Sequence, residues 1–196
     1  AGSDHYVMGD ISSTGKLLEP YGDLQEAAAF AAFKEQAAYL LEGGVDGLII
    51  ETMIDLKEAL CALRACKAVA SLPVIASLSF ATTKRGGRTT MGNSAADCAN
   101  ALTAAGADVI GTNCGDLTPL QMAAIIAELR KAATLPLIAQ PNAGKARLAG
   151  EQTVFDMGPE EFAQGAVECI TAGARLVGGC CGTSPGYIRA VANSCK

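Results

Sequence analysis

The 196-residue chain has the length of one domain, and a chain of this size buries roughly 70 % of the surface that its unfolded form exposes. Half of the residues are hydrophobic, 18 % are charged and Trp is absent, a composition typical of α/β proteins with buried parallel strands. The formal net charge is −5 and the basic residues are scattered, which argues against nucleic acid or anionic lipid as a partner.

Strand and helix patterns alternate from one end of the chain to the other. The first strand covers 6–10, and a loop rich in Ser, Thr, Gly and Pro follows it to position 22. Ala, Leu, Glu and Gln at helical spacing predict a helix over 24–42, which Gly43 and Gly44 end. The same alternation then predicts strands over 45–51, 74–80, 108–114, 137–140 and 175–179, and helices over 55–70, 94–105, 118–133, 159–172 and 185–195.

Three of the predicted strands belong to one repeated pattern, GGVDGLIIET, AGADVIGTNC and AGARLVGGCC. Aligning them on the glycine that ends the preceding helix places a polar or thiol residue seven positions later in each copy. In a parallel barrel all strand carboxyl ends face one way, and active sites are built there. The repeat therefore predicts that one mouth collects five residues, namely Glu51, Asn113, Cys114, Cys180 and Cys181.

This alternation predicts an α/β fold of the TIM-type (β/α)8 barrel class. The competing fold is a doubly wound open sheet, which normally carries a glycine-rich phosphate turn after its first strand, and no G-x-G-x-x-G stands there. Only six strand–helix units are found, against the eight of a closed barrel. We therefore expect residues 1–196 to be a single barrel domain that lacks its first two units at the N-terminal side, and to be poorly stable as a free monomer.

The eight cysteines divide into two groups. Adjacent Cys180 and Cys181 cannot bridge each other without strain, but with Cys114 they can give three sulfurs to a tetrahedral zinc ion whose fourth position stays open, an arrangement that suits a thiol substrate. Buried core cysteines and a vicinal redox disulfide are the alternatives. The remaining cysteines fall on predicted helices, where packing is the expected role, namely Cys61, Cys66, Cys98, Cys169 and Cys195.

The apolar runs are far shorter than the roughly 20 residues that a membrane-spanning helix needs, and no signal-peptide pattern opens the chain. Cysteines in such a chain are typically reduced rather than paired. We therefore expect a soluble cytoplasmic protein with no membrane partner.

Four motifs together resemble the homocysteine-binding zinc domain of methyltransferases, the family of cobalamin-dependent methionine synthase and betaine-homocysteine methyltransferase. They are IIET at 49–52, GTNC at 111–114, PNAG at 141–144 and GGCCGTSP at 178–185. The resemblance implies a TIM-type barrel that transfers a methyl group to the thiol of homocysteine and gives methionine. It further implies zinc on Cys114, Cys180 and Cys181, an interaction of Glu51 with the substrate's amino group, and a pocket lined by Asn113 and Asn142.

The methyl donor is left open by the sequence. Methylcobalamin or methyltetrahydrofolate on other modules, betaine and S-methylmethionine would all approach the same thiolate, so the expected partners are homocysteine and a cobalamin-binding module or a chain that completes the barrel. The alternative is a non-catalytic zinc-binding fragment or subunit that needs a partner chain to complete its site.

Overall fold

A computed structural model describes residue 2 and residues 4–195. Its helices are α1 (Glu26–Glu42), α2 (Leu56–Lys67), α3 (Ala95–Ala104), α4 (Pro119–Ala132), α5 (Pro159–Thr171) and α6 (Pro185–Ser194). Its strands are β1 (Met8–Ile11), β2 (Gly47–Met53), β3 (Val74–Leu78), β4 (Phe80–Thr82), β5 (Arg88–Thr89), β6 (Val109–Asn113), β7 (Leu137–Gln140), β8 (Ala146–Ala149), β9 (Gln152–Phe155) and β10 (Ala174–Val177). Every predicted strand and helix is present, with ends that shift by a few residues.

Six of the strands form one parallel sheet in the order β1-β2-β3-β6-β7-β10, which confirms the predicted α/β class. Ile49, Ile75 and Ile138, from three different strands, pack together on one face of this sheet. Residues from all six strands line one cleft on that face, so the face is concave. The arrangement is that of a partial TIM barrel. Within the described part of the chain, β1 and β10 are the outer strands and no further strand pairs with them.

The main core lies between the convex face of the sheet and the surrounding helices, where alternate strand residues such as Leu48, Ala76 and Ile110 are inaccessible to solvent. Among the described residues, no helix has the length and hydropathy required to cross a membrane. Four helical cysteines are buried in these layers as predicted, namely Cys61, Cys66, Cys98 and Cys169. The same prediction is wrong for Cys195, which is exposed and lies one residue beyond the end of α6.

Local signals explain where the repeated units turn. Ser94 with Asp97 and Thr118 with Gln121 form capping boxes, which satisfy the free N–H groups at the starts of α3 and α4. The glycines that end the repeated helices have φ angles of 80° at Gly44, 85° at Gly106 and 116° at Gly173, values that side-chain-bearing residues seldom adopt. The three repeated units therefore share the same backbone geometry at the point where each helix ends and the next strand follows.

Two antiparallel ribbons interrupt the alternation and were not predicted. β4 pairs with β5, and the KRGGR segment at 84–88 makes the turn between them. β8 pairs with β9 around Gly150, whose φ of 65° permits a two-residue turn. Both ribbons follow main-sheet strands at their carboxyl ends, so they surround the mouth.

Candidate metal centre

The three sulfurs predicted to bind metal are brought together at the carboxyl ends of β6 and β10. The Sγ atoms of Cys114, Cys180 and Cys181 all lie within 4.8 Å of one another, with 3.8 Å between Cys114 and Cys181 and 4.0 Å between Cys180 and Cys181. Zinc–sulfur bonds of about 2.3 Å at tetrahedral angles require sulfurs about 3.8 Å apart. The thiols therefore stand at zinc-binding separations, and a zinc ion fits them.

The backbone holds the three cysteines in place by specific contacts. Cys114 itself has a φ of 55° and Gly115 follows at 72°, which turns the chain sharply at the end of β6. The N–H of Cys180 donates to the carbonyl of Pro141 at 2.9 Å, and the Thr183 hydroxyl donates to the carbonyl of Cys180 at 2.7 Å. The carbonyl of Cys181 accepts from the N–H of Ala143 at 2.9 Å. The vicinal pair is thus tied to the loop after β7.

The three thiols of the cluster differ in pKa. A hydrogen bond with Cys180, which outweighs burial, lowers the pKa of the Cys114 thiol to about 5. The same bond raises the pKa of Cys180, and burial raises that of Cys181. Zinc binding would displace the protons that these thiols still carry.

The two predicted asparagines both contact the thiol cluster, in different ways. Asn142 accepts from the N–H of Cys181 at 3.1 Å and donates from Nδ2 to the carbonyl of Gly115 at 2.9 Å, so it joins the two cysteine loops. It also lines a cleft of about 640 Å³ that reaches Cys114 and Cys181 beside the β8–β9 ribbon. Asn113 is completely buried beneath the sulfurs, and its Nδ2 donates to Cys180 at 3.8 Å.

Glu51 lines a second cleft, on the concave face of the sheet. This cleft measures about 650 Å³, and its floor is apolar, while Asp46 and the group of Asp10, Glu51 and Gln140 carry polar side chains in its lining. Burial and then the neighbouring carboxylate of Asp10 raise the pKa of Glu51, and the amide of Gln140 partly offsets the rise. Burial also raises the pKa of Asp10. The cleft therefore presents two adjacent carboxyl groups to a cationic ligand.

Sequence reasoning missed Asp10 and Gln140 as candidate site residues. Gln140 Oε1 is buried without a hydrogen-bond partner among the described residues. Both residues stand at or near strand carboxyl ends, as Glu51 does, and that position was the signal that could have found them. They lie outside the repeated pattern, since no helix precedes β1 among the described residues and β7 follows a turn of another sequence, TLP at 134–136.

The sequence profile of the homocysteine S-methyltransferase family matches residues 1–195. The chain belongs to the homocysteine S-methyltransferase family. Its relatives include methionine synthase of Mycobacterium tuberculosis, 33 % identical over 193 residues that make up 95 % of this chain and 16 % of that protein. Methionine synthase of Mycobacterium leprae is 32 % identical over 197 residues, or 96 % of this chain and 16 % of that protein. The chain thus spans about a sixth of the length of these curated relatives.

Solved structures agree with the fold. The apo form of the homocysteine methyltransferase MmuM from Escherichia coli superposes with a TM-score of 0.74 at 22 % identity, covering 96 % of this chain and 62 % of that one. Its metallated form gives a TM-score of 0.68 at 24 % identity, covering 86 % and 52 %. At this identity the likeness supports the barrel architecture, and the chemistry has to be argued from the residues.

Proposed function

We propose that this chain carries out zinc-dependent transfer of a methyl group to the thiol of homocysteine, giving methionine. The observation that supports this most is the cluster of three sulfurs at zinc-binding separations, together with paired carboxyl groups of which Glu51 interacts electrostatically with Cys114. Membership of the homocysteine S-methyltransferase family makes homocysteine the thiol to test first.

Cys114, Cys180 and Cys181 are the residues that would hold the zinc ion. Three protein sulfurs leave a fourth tetrahedral position for a ligand from solution. When bound, the metal supplies a positive field that favours the thiolate form of a substrate thiol at neutral pH, so no side chain has to act as general base. The protein's part is to hold the sulfurs and to orient the substrate.

The amino acid part of homocysteine is proposed to bind in the concave cleft. Its ammonium group would lie among Glu51, Asp10 and Gln140, where the two carboxyl groups supply negative charge and hydrogen-bond acceptors. The apolar floor would contact the methylene groups. Of the two predicted asparagines, Asn142 lines the other cleft, which reaches Cys114 and Cys181, and would be the one to contact a substrate bound there.

Three candidate sources of the methyl group are compatible with this proposal. Methionine synthase relatives are about six times longer than this chain, which supports methylcobalamin or methyltetrahydrofolate presented by other modules. Betaine and S-methylmethionine remain candidate donors that would act directly. We also propose a cytoplasmic location, because homocysteine and reduced cysteine thiols occur together in that compartment.

Calorimetric titration tests the function directly. We expect the protein to bind one zinc ion per chain, and the zinc form alone to bind homocysteine. Cys114→Ser should lower zinc affinity and remove homocysteine binding, whereas Cys195→Ser is a matched control because that thiol is exposed and away from the cluster. Equal homocysteine binding by the zinc-free and zinc-loaded proteins would contradict the proposal.

A second candidate function is a non-catalytic zinc-binding subunit that needs a partner chain. It is favoured by the open concave face, where Tyr6 is 85 % exposed and Leu176 39 % exposed. Sedimentation of the zinc form, followed by a methyl-transfer assay with each donor, separates the two. A folded monomer that converts homocysteine supports the enzyme, and a zinc-loaded protein with no turnover on any donor supports the subunit.

A further inference from the structure

The side-chain amide of Asn113 uses its whole hydrogen-bonding capacity inside the protein. Its Oδ1 accepts from the backbone N–H of Thr52 at 2.9 Å and from the hydroxyl of Ser77 at 2.7 Å. Its Nδ2 donates to the hydroxyl of Thr52 at 2.8 Å and to the sulfur of Cys180 at 3.8 Å. Because a backbone N–H can only donate, Oδ1 has to face Thr52, and this fixes which end of the amide faces the sulfur.

Thr52 has a backbone conformation that this amide stabilises. Its φ is 61°, in the left-handed region that β-branched residues rarely enter. β2 also carries one residue more than β3 between the pairs Ile50–Ala76 and Met53–Leu78, so Thr52 lies in a β-bulge. Bulges beside active sites redirect neighbouring side chains. The residue before Thr52 is Glu51, so the two bonds from Asn113 help to set the direction of its carboxylate.

The same amide also reaches the metal centre. Cys180 is half-buried, and the Nδ2–H of Asn113 is directed at its sulfur from the protein interior. A donor directed at a ligand sulfur orients that sulfur and shares its negative charge, in the way that outer contacts orient metal ligands generally. The ends of β2, β3, β6 and the loop after β10 therefore meet at one buried group.

We propose that Asn113 is a positioning residue that couples the substrate side of the site to the metal side, by fixing the Glu51–Thr52 bulge and the sulfur of Cys180 with one amide. The importance of Glu51 rests on the function proposed above, whereas the link between Thr52 and Cys180 does not. Loss of the whole amide should therefore disturb both the Glu51–Thr52 bulge and the sulfur of Cys180. Loss of its N–H donor alone should disturb only Cys180.

Two variants separate these effects. Asn113→Ala removes all four contacts. Asn113→Asp, as a carboxylate, keeps the acceptors for the Thr52 N–H and for Ser77, and its second oxygen can accept from the Thr52 hydroxyl, but it offers no donor to Cys180. Ser79→Ala is the matched control, since that buried hydroxyl donates at 2.8 Å to the backbone carbonyl of Asn113 and leaves the amide intact.

The measurements are zinc affinity by chelator competition and hydrogen exchange of the Thr52 amide in the zinc-free protein. Both Asn113 variants should bind zinc about 10- to 100-fold more weakly, as for other outer contacts of metal ligands. Thr52 exchange should rise at least about tenfold in Asn113→Ala and stay near the wild-type rate in Asn113→Asp and Ser79→Ala.

Unchanged zinc affinity in both Asn113 variants, or unchanged Thr52 exchange in a folded Asn113→Ala protein, overturns the coupling. If Asn113→Ala does not fold, the zinc affinity of Asn113→Asp decides, and a wild-type value there overturns the inference. If the wild-type protein binds zinc but not homocysteine, the proposed function is wrong, and the Asn113 variants still test the link between Thr52 and Cys180.

Discussion

Glu58→Gln is expected to loosen the loop after β1 by about 3 kcal/mol. Glu58 is 2 % exposed, yet its carboxylate accepts three hydrogen bonds from that loop. The Ser13 hydroxyl donates at 2.8 Å, and the N–H and hydroxyl of Thr14 donate at 2.8 and 2.7 Å. Hydrogen bonds to charged groups contribute about 1.5–3 kcal/mol and neutral ones about 0.5–1.5, so each of the three loses about 1 kcal/mol when the charge is removed.

Hydrogen exchange of the Thr14 amide measures this loss where it occurs. A change of 3 kcal/mol corresponds to roughly 100-fold faster exchange, because each 1.4 kcal/mol is tenfold. Glu26→Gln is the control, since Glu26 pairs with Arg64 on the surface with 43 % of its side chain exposed, and its effect should be small. Thr14 exchange within about threefold of wild type in Glu58→Gln would refute the reasoning that the buried charge holds the loop.

Three further changes test other parts of the structure. Glu51→Gln should weaken homocysteine binding about 10- to 100-fold through loss of a charge-assisted contact, with no loss for 4-mercaptobutanoate, which lacks the amino group. The pKa of Glu51 is raised from 4.5, so on acidification homocysteine affinity should begin to fall at a higher pH than an ordinary Glu would give. The affinity for 4-mercaptobutanoate should not show this fall, and parallel pH profiles for the two ligands would contradict the prediction. Gly111→Ala should prevent folding, since its Cβ would lie 2.0 Å from the carbonyl oxygen of Ile138, and a soluble protein with native circular dichroism would contradict the close packing of β6 and β7. Phe162→Ala should lower the free energy of unfolding in urea by about 3–5 kcal/mol, because the ring is fully buried and packs edge-on against Tyr187, and a loss below about 1 kcal/mol would contradict this.

Much of this architecture follows from local sequence. The glycines at the helix ends, the alternation of apolar runs with helical patterns and the equal spacing to Glu51, Asn113 and Cys180 all express one repeated backbone geometry. Parallel strands then bring equivalent positions to one edge of the sheet. The meeting of Cys114 with the vicinal pair could be predicted for that reason, without any long-range information.

The parts that could not be predicted depend on contacts between distant segments. The β4–β5 and β8–β9 ribbons use strands of only two to four residues, too short to show a periodic pattern, so only the glycines of their turns mark them in the sequence. Asn113 was expected on the pocket wall, but its buried contacts to Thr52 and Cys180 arise from the bulge in β2, which local pattern does not encode. Asp10 and Gln140 stand near strand ends but outside the repeat, so the sequence alone did not show that they lie beside Glu51 in one cleft.

X-ray absorption at the zinc edge tests the central claim most directly. The zinc-loaded protein should show three sulfur neighbours from Cys114, Cys180 and Cys181, and homocysteine should raise the number to four. The analogue homoserine, in which oxygen replaces sulfur, should leave the count at three. A sulfur count that stays at three with saturating homocysteine would contradict the account, and so would zinc bound without these sulfurs.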